Sequence, residues 1–127
     1  MATYSEHLPP DFRVSYRLYS AAEGGRKTPH FQHIRWDFSY EDENIGKPNQ
    51  VFMIWPEFIS STGEVLPEGE PMSRQGLADM FIVNPAFRNF HCQQIKVGVK
   101  GYVHEGQPIG VCEVVAVLAL HQNPKDN

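Results

Sequence analysis

Several features that would assign a function class are missing from this 127-residue sequence. Its two cysteines, Cys92 and Cys112, are too few for a disulfide framework, and their spacing matches no zinc motif. Lys and Arg total 11 against 15 Asp and Glu, a net charge of −4, whereas dedicated nucleic-acid binders usually carry a basic excess. No run of about 18 apolar residues exists, and the start does not resemble a secretory signal. We therefore expect a soluble cytoplasmic protein with reduced thiols and no membrane segment.

Motifs that carry chemistry are also missing. The sequence contains no G-x-x-x-x-G-K-[ST] loop for a nucleotide phosphate and no nucleophile elbow around either cysteine. The six histidines show no metal-ligand spacing, since His30 and His33 lie three apart in a strand or loop with no ligating partner beside them. We expect no cofactor, no metal, no nucleotide and no enzymatic activity, with both cysteines as inert thiols on strands.

The main pattern in the sequence is the alternation of apolar and polar residues. In Phe12 to Tyr19 every second residue is apolar, which predicts a half-buried strand. The further predicted strands are Val51 to Trp55, Met80 to Val83, Ile95 to Val103 and Val111 to Leu120. Turn residues separate these segments, and Leu77 to Phe81 is too short for a helix. The pattern predicts an all-β barrel or sandwich in a single domain, with the barrel at about residues 11–120 and flexible tails at 1–10 and 121–127.

One polar stretch, Asp37 to Gln50, predicts a long acidic loop or hairpin tip that exposes Glu41, Asp42 and Glu43. A contiguous run of carboxylates is typical of a solvated or partner-facing surface and not of an acid–base pair. The aromatic residues that flank the loop could form an interface with it, or they could belong to the core, as we expect for the last two; they are Trp36, Tyr40, Phe52 and Trp55.

The nine residues Glu23 to Phe31, EGGRKTPHF, resemble the E-G-G-R-H-T-P-F-F motif in the third, C-terminal domain of bacterial elongation factor Tu. Lys27 and His30 are the two departures, and Leu66 to Gly69 matches the L-P-E-G turn of the same domain. The resemblance extends from about Phe12 to Leu120, and nothing in the sequence resembles the GTPase domain of the factor. It implies a single closed antiparallel six-stranded β-barrel of Greek-key type.

The resemblance also implies candidate binding residues. In that family the Arg of the motif and the residue after it lie against the tRNA backbone, and the matching positions here are Arg26 and Lys27. Asn84 stands where the family has another tRNA-contacting Lys. We therefore predict a non-enzymatic module that acts through protein–protein contacts, in a regulatory or toxin-neutralising role, with the acidic loop as one candidate surface. The alternative is an RNA- or tRNA-binding module that uses Gly24, Gly25, Arg26, Lys27 and Arg35. A purely structural reading makes Gly24 and Gly25 a tight turn.

Overall fold

The computed structural model describes residues 8–25, 30–32, 34–47, 50–67 and 71–125. Most of the secondary structure in these residues is β-strand. The strands are β1 (Phe12–Leu18), β2 (His30–Phe31), β3 (Trp36–Tyr40), β4 (Phe52–Ile59), β5 (Pro71–Met72), β6 (Gln75–Ile82), β7 (Lys100–His104) and β8 (Pro108–Val117). One α-helix, α1 (Arg88–Gln94), follows a 3₁₀ turn at Pro85–Phe87.

Six of the strands close into an antiparallel barrel with the order β1-β6-β4-β3-β7-β8 and back to β1. β3, β4 and β6 are consecutive neighbours, and the chain then returns through α1 so that β7 lies beside β3, which is the Greek-key arrangement. The short strands β2 and β5 pair with each other outside the barrel. The prediction of an all-β, closed six-stranded Greek-key barrel is confirmed.

Alternate residues of each strand point into the barrel, and many of these inward residues are large aromatic side chains. β1 shows the predicted alternation in full, with Phe12, Val14, Tyr16 and Leu18 buried. Trp36 is completely buried, and its ring meets that of Phe58 edge to face with centroids 5.2 Å apart. Phe52 is core, as expected. Trp36 and Tyr40, by contrast, are core residues and do not form an interface beside the acidic loop, since Trp36–Tyr40 is the strand β3 and the loop begins only after it.

The chain between β6 and β7 contains the helix α1, where the sequence predicted no helix and placed Cys92 on a strand. The predicted strand from Ile95 to Val103 is wrong for residues 95–99, which form a turn, and β7 begins only at Lys100. Asn84 begins the 3₁₀ turn by accepting a hydrogen bond from the Ala86 amide at 3.0 Å, and α1 continues from it. Cys92 therefore lies on α1 and not on a strand. At seven residues α1 is short, and no helix in the described part of the chain has the length and apolar composition to cross a membrane.

Strand direction determines which loops share an end of the barrel. β1 and β4 run one way, while β3, β6 and β8 run the other way. One end therefore carries the start of β1, the loop between β3 and β4, α1, and the chain after β8. The opposite end carries the Glu23–Gly25 turn that follows β1.

Candidate binding surface

The outer face of the first half of β4 is apolar, whereas a surface strand is usually polar there. Val51, directly before the strand, and Met53 and Trp55 within it are 45%, 43% and 39% exposed, while the residues between them, Phe52 and Ile54, are buried. Because side chains alternate along a strand, these three residues form one apolar strip on the outside of the barrel. We call Val51, Met53 and Trp55 the β4 strip.

An apolar cavity of about 270 Å³ lies against one side of the β4 strip. Its walls come from β4, β6, the 3₁₀ turn, α1 and the segments before β1 and after β8. The lining residues are Leu8, Trp55, Phe81, Ile82, Val83, Pro85, Arg88 and Pro124. Phe81 on β6 is the direct register partner of Trp55. The exposed indole of Trp55 thus stands at the border between the strip and the cavity.

A buried polar cluster holds the walls of this cavity in place. The Asp11 carboxylate accepts hydrogen bonds from the Ile82 amide at 2.8 Å, from Arg88 Nε at 3.0 Å and from Asn123 Nδ2 at 2.9 Å. Arg88 Nη2 also donates to the Ile82 carbonyl oxygen at 3.0 Å, and Arg88 Nη1 donates to the Pro124 carbonyl oxygen. The Asp11–Arg88 pair is nearly inaccessible, at 1% and 3% exposure of the side chains. Asn123, in the segment expected to be a tail, is buried and joins the chain ends to the barrel.

The acidic loop lies at the same end of the barrel as this cluster. Glu41, Asp42 and Glu43 are exposed, as predicted from the sequence. Asp42 shapes the loop, because its side-chain oxygen accepts the Asn44 amide at 2.9 Å and its carbonyl oxygen accepts the Ile45 amide at 3.1 Å. Within the described ranges none of the three carboxylates forms an ion pair, so their charge faces solvent.

Arg35 lies beside the β4 strip and not at the Glu23–Gly25 turn. It is exposed directly before β3, and its Nη1 lies 3.7 Å from Met53 Sδ. Asp37 on β3 is the register partner of Met53. The side of the strip that faces away from the cavity is therefore bordered by both charges, and β3 leads from Asp37 into the acidic loop.

The first three residues of the nine-residue motif form a compact turn at the opposite end of the barrel. The Glu23 carboxylate accepts the Ser20 amide at 3.0 Å and pairs with Arg17 at 3.1 Å, and these two interactions lower its pKa. Gly24 has a φ of +95°, a conformation that favours glycine. A Cβ at Gly25 would collide with the Tyr19 carbonyl oxygen. The glycines are explained by the turn itself, which is the structural reading of the motif.

Arg26 and Lys27, which the resemblance implied as cationic binding residues, lie outside the described residues. The predicted site residues do not form one site. Gly24 and Gly25 lie at one end of the barrel, Glu41 to Glu43 at the other, and Arg35 beside the β4 strip between them.

Sequence reasoning missed Trp55 as a surface residue, because we expected it in the core. Val51 to Trp55 is apolar at every position, which is typical of a strand buried on both faces. The same pattern arises when one face meets the core and the other is kept apolar for a partner. The two cases are distinguished only by the structure, in which Met53 and Trp55 are exposed on the outside of the barrel.

A buried histidine lies beneath the acidic end of the barrel. His91 on α1 is 1% exposed, and its Nδ1 lies 2.6 Å from the Tyr40 hydroxyl. The Phe52 ring meets it edge to face at 4.6 Å. Burial, assisted by the nearby Arg88 charge, lowers the pKa of His91 to about 4, and burial raises the pKa of Tyr40. The pair is therefore neutral at pH 7 and joins α1 to β3.

The two thiols differ in their surroundings. Cys112 on β8 points into the barrel, and burial raises its pKa to about 12. Such a thiol is not a nucleophile at neutral pH. Cys92 on α1 is only partly buried, and its Sγ lies 3.5 Å from the Leu120 carbonyl oxygen.

No protein-family model matches this chain, and no curated protein matches it. The resemblance to the third domain of elongation factor Tu therefore rests on the quoted motifs. It stays a prediction once the fold is known, because one barrel fold can host many unrelated functions.

Proposed function

We propose that this chain is a non-enzymatic protein-binding module whose contact surface is the β4 strip, with Met53 and Trp55 at its centre. The observation that carries the proposal is the contiguous exposure of Val51, Met53 and Trp55 beside an apolar cavity. Contiguous apolar patches on a soluble protein mark interaction sites, and Trp is enriched among the residues that dominate binding energy.

The surroundings of the strip support the same proposal. Protein interfaces combine an apolar centre with a polar and charged rim, and Arg35, Asp37 and the acidic loop border the strip on one side. The rigid barrel fixes the strip before a partner arrives, which reduces the entropy lost on binding.

The finer part of the proposal comes from the resemblance. We infer a stand-alone relative of the third domain of elongation factor Tu, with a regulatory or toxin-neutralising role in the cytoplasm. The motif at Glu23 to Phe31 supports this relationship, and the two cysteines, neither of them in a disulfide, support a reducing compartment.

Site-specific photocrosslinking tests the proposal. A benzophenone side chain at Met53 should give a defined protein adduct in cell lysate, and the recovered protein should bind the purified chain in isolation. Val115 on β8 is the matched control, because it is 39% exposed and lies across the barrel from β4. Equal adducts at Met53 and Val115, or none at Met53, would contradict the proposal.

A further inference from the structure

We propose that the partner contributes an extended segment with one apolar anchor side chain, which enters the cavity beside Trp55, and Lys or Arg residues that lie against the acidic loop. This inference rests on the proposed function and adds the chemistry of the partner to it. It follows from the cavity, the length of the β4 strip and the distribution of charge around them.

The cavity selects an apolar group of limited size. At about 270 Å³ it lies at the lower limit of typical small-molecule sites and has room for one large apolar side chain. Arg88 is the charged residue in its wall, and all three guanidinium nitrogens already donate to Asp11, Ile82 or Pro124. Arg88 therefore does not offer the charge that an acidic ligand would need.

The β4 strip sets the length of the segment. Trp55 borders the cavity, Val51 directly follows the loop in the sequence, and four residues of a strand span roughly 13 Å. An extended segment with its anchor in the cavity reaches the loop about four residues later. Met53, midway along the strip, supplies a polarizable contact that adapts to different side chains.

Charge determines which residues stand at the far end of the segment. Glu41, Asp42 and Glu43 are exposed, and no described residue forms an ion pair with them. The described cations in the loop or bonded directly to it are Lys47 and Lys100, whose carbonyl oxygen accepts the Glu41 amide at 3.0 Å, so the three carboxylates still outnumber them. A basic segment associates faster with such a surface because opposite charges attract, whereas an acidic segment is repelled.

Synthetic peptides test this inference on the intact chain. Each twelve-residue peptide carries one Leu, Phe or Trp anchor and three Lys residues four to six positions away, in both orientations. ¹H–¹⁵N spectra at low salt report the binding site, because the exposed indole of Trp55 should shift while the buried indole of Trp36 should not. The amides of Glu41 to Glu43 should shift with Trp55.

Matched peptides separate the two parts of the inference. Replacing the anchor by Ala should weaken binding by about tenfold, and replacing the Lys residues by Glu should do the same. The variant E41K/D42K/E43K should reverse the preference between the Lys and Glu peptides. The control S61K/E64K places new positive charge at exposed sites in the turn that follows β4, at the opposite end of the barrel, and it should keep the preference of the wild type.

Failure of this inference is distinguishable from failure of the proposed function. If the Lys peptides do not bind, bind no better than the Glu peptides, or shift residues away from Trp55, the inference is overturned. A specific adduct at Met53 in that case still leaves the β4 strip as a protein-binding surface. If the adduct at Met53 is also missing, the proposed function fails as well.

Discussion

Replacement of Asp11 by Ala should destabilise this protein more than the loss of the Arg13–Asp79 or the Arg17–Glu23 ion pair. The carboxylate accepts hydrogen bonds from Arg88, Asn123 and the Ile82 amide, and both members of the ion pair are almost fully buried. Asp11→Ala would leave the Arg88 charge inside the protein without its counter-ion and the Ile82 amide without its acceptor. Both groups lose their hydrogen bonds to water on folding, and in the variant no hydrogen bond to the carboxylate would replace them.

The expected size of this effect is about 3–5 kcal/mol, which is the usual cost of removing one partner from a buried ion pair. With a slope near 2 kcal/mol per molar urea, the unfolding midpoint should fall by roughly 2 M. The control is Asp79→Ala, which breaks the pair with Arg13 at 2.7 Å. Because the Arg13 side chain is 31% exposed, water can solvate it, and we expect a loss of about 1 kcal/mol.

Urea unfolding at pH 7, followed by circular dichroism, measures both values. The double variant Asp11→Ala/Arg88→Met should be more stable than Asp11→Ala alone, because it removes the unpaired charge along with its partner. A loss for Asp11→Ala no larger than that for Asp79→Ala would refute the reasoning. So would a double variant in which the two losses simply add.

Three further predictions concern separate parts of the chain. Since burial lowers the pKa of His91 to about 4 while the unfolded chain titrates near 6.5, stability should fall by up to about 3 kcal/mol as the pH drops between these values. His91→Phe should remove that component of the slope in urea unfolding measured from pH 7 to pH 4. Gly25→Ala should lower the melting temperature by several degrees, because its Cβ collides with the Tyr19 carbonyl oxygen. Filter binding should show no near-micromolar complex with tRNA at low salt, and Arg26→Glu/Lys27→Glu should change neither this result nor the melting temperature.

Control variants exist for the pH dependence and for the glycine turn, and one result would contradict the tRNA prediction. His121→Asn changes an exposed histidine, and it should leave the pH slope intact. Gly24→Ala, at a φ of +95° with no atom near the new Cβ, should cost about 1–2 kcal/mol, less than Gly25→Ala. A salt-sensitive tRNA complex that Arg26→Glu/Lys27→Glu abolishes would favour the RNA-binding alternative over the protein-binding module.

The barrel was predictable because its signals are local. Alternating apolar residues in β1 and turn residues between strands follow from backbone geometry alone, and the structure confirms β1 at Phe12–Leu18. The helix α1 was missed because its buried face carries Arg88 and His91, so apolar periodicity could not reveal it. Asn84 followed by Pro85 is a helix-start signal as well as a turn signal, and the spacing of Arg88, His91 and Ile95 fits one face of a helix.

The candidate site was less predictable than the fold. The exposure of Glu41 to Glu43 follows from their own polarity, whereas the exposure of Trp55 depends on whether anything covers the outside of β4. The Asp11–Arg88 pair joins residues 77 positions apart, so no local pattern could have paired them. Long-range contacts of this kind determine the cavity and therefore the site.

The affinity of the Trp55→Ser variant for the protein recovered by crosslinking at Met53 tests the central claim most directly. If the β4 strip is the contact surface, titration calorimetry should show a loss of at least about 30-fold, corresponding to about 2 kcal/mol for a dominant interface residue. Val115→Ser, equally exposed on the far side of the barrel, should bind within about twofold of the wild type, because substitutions outside an interface leave its contacts intact. Wild-type affinity for Trp55→Ser, or an equal loss for Val115→Ser, would contradict the account.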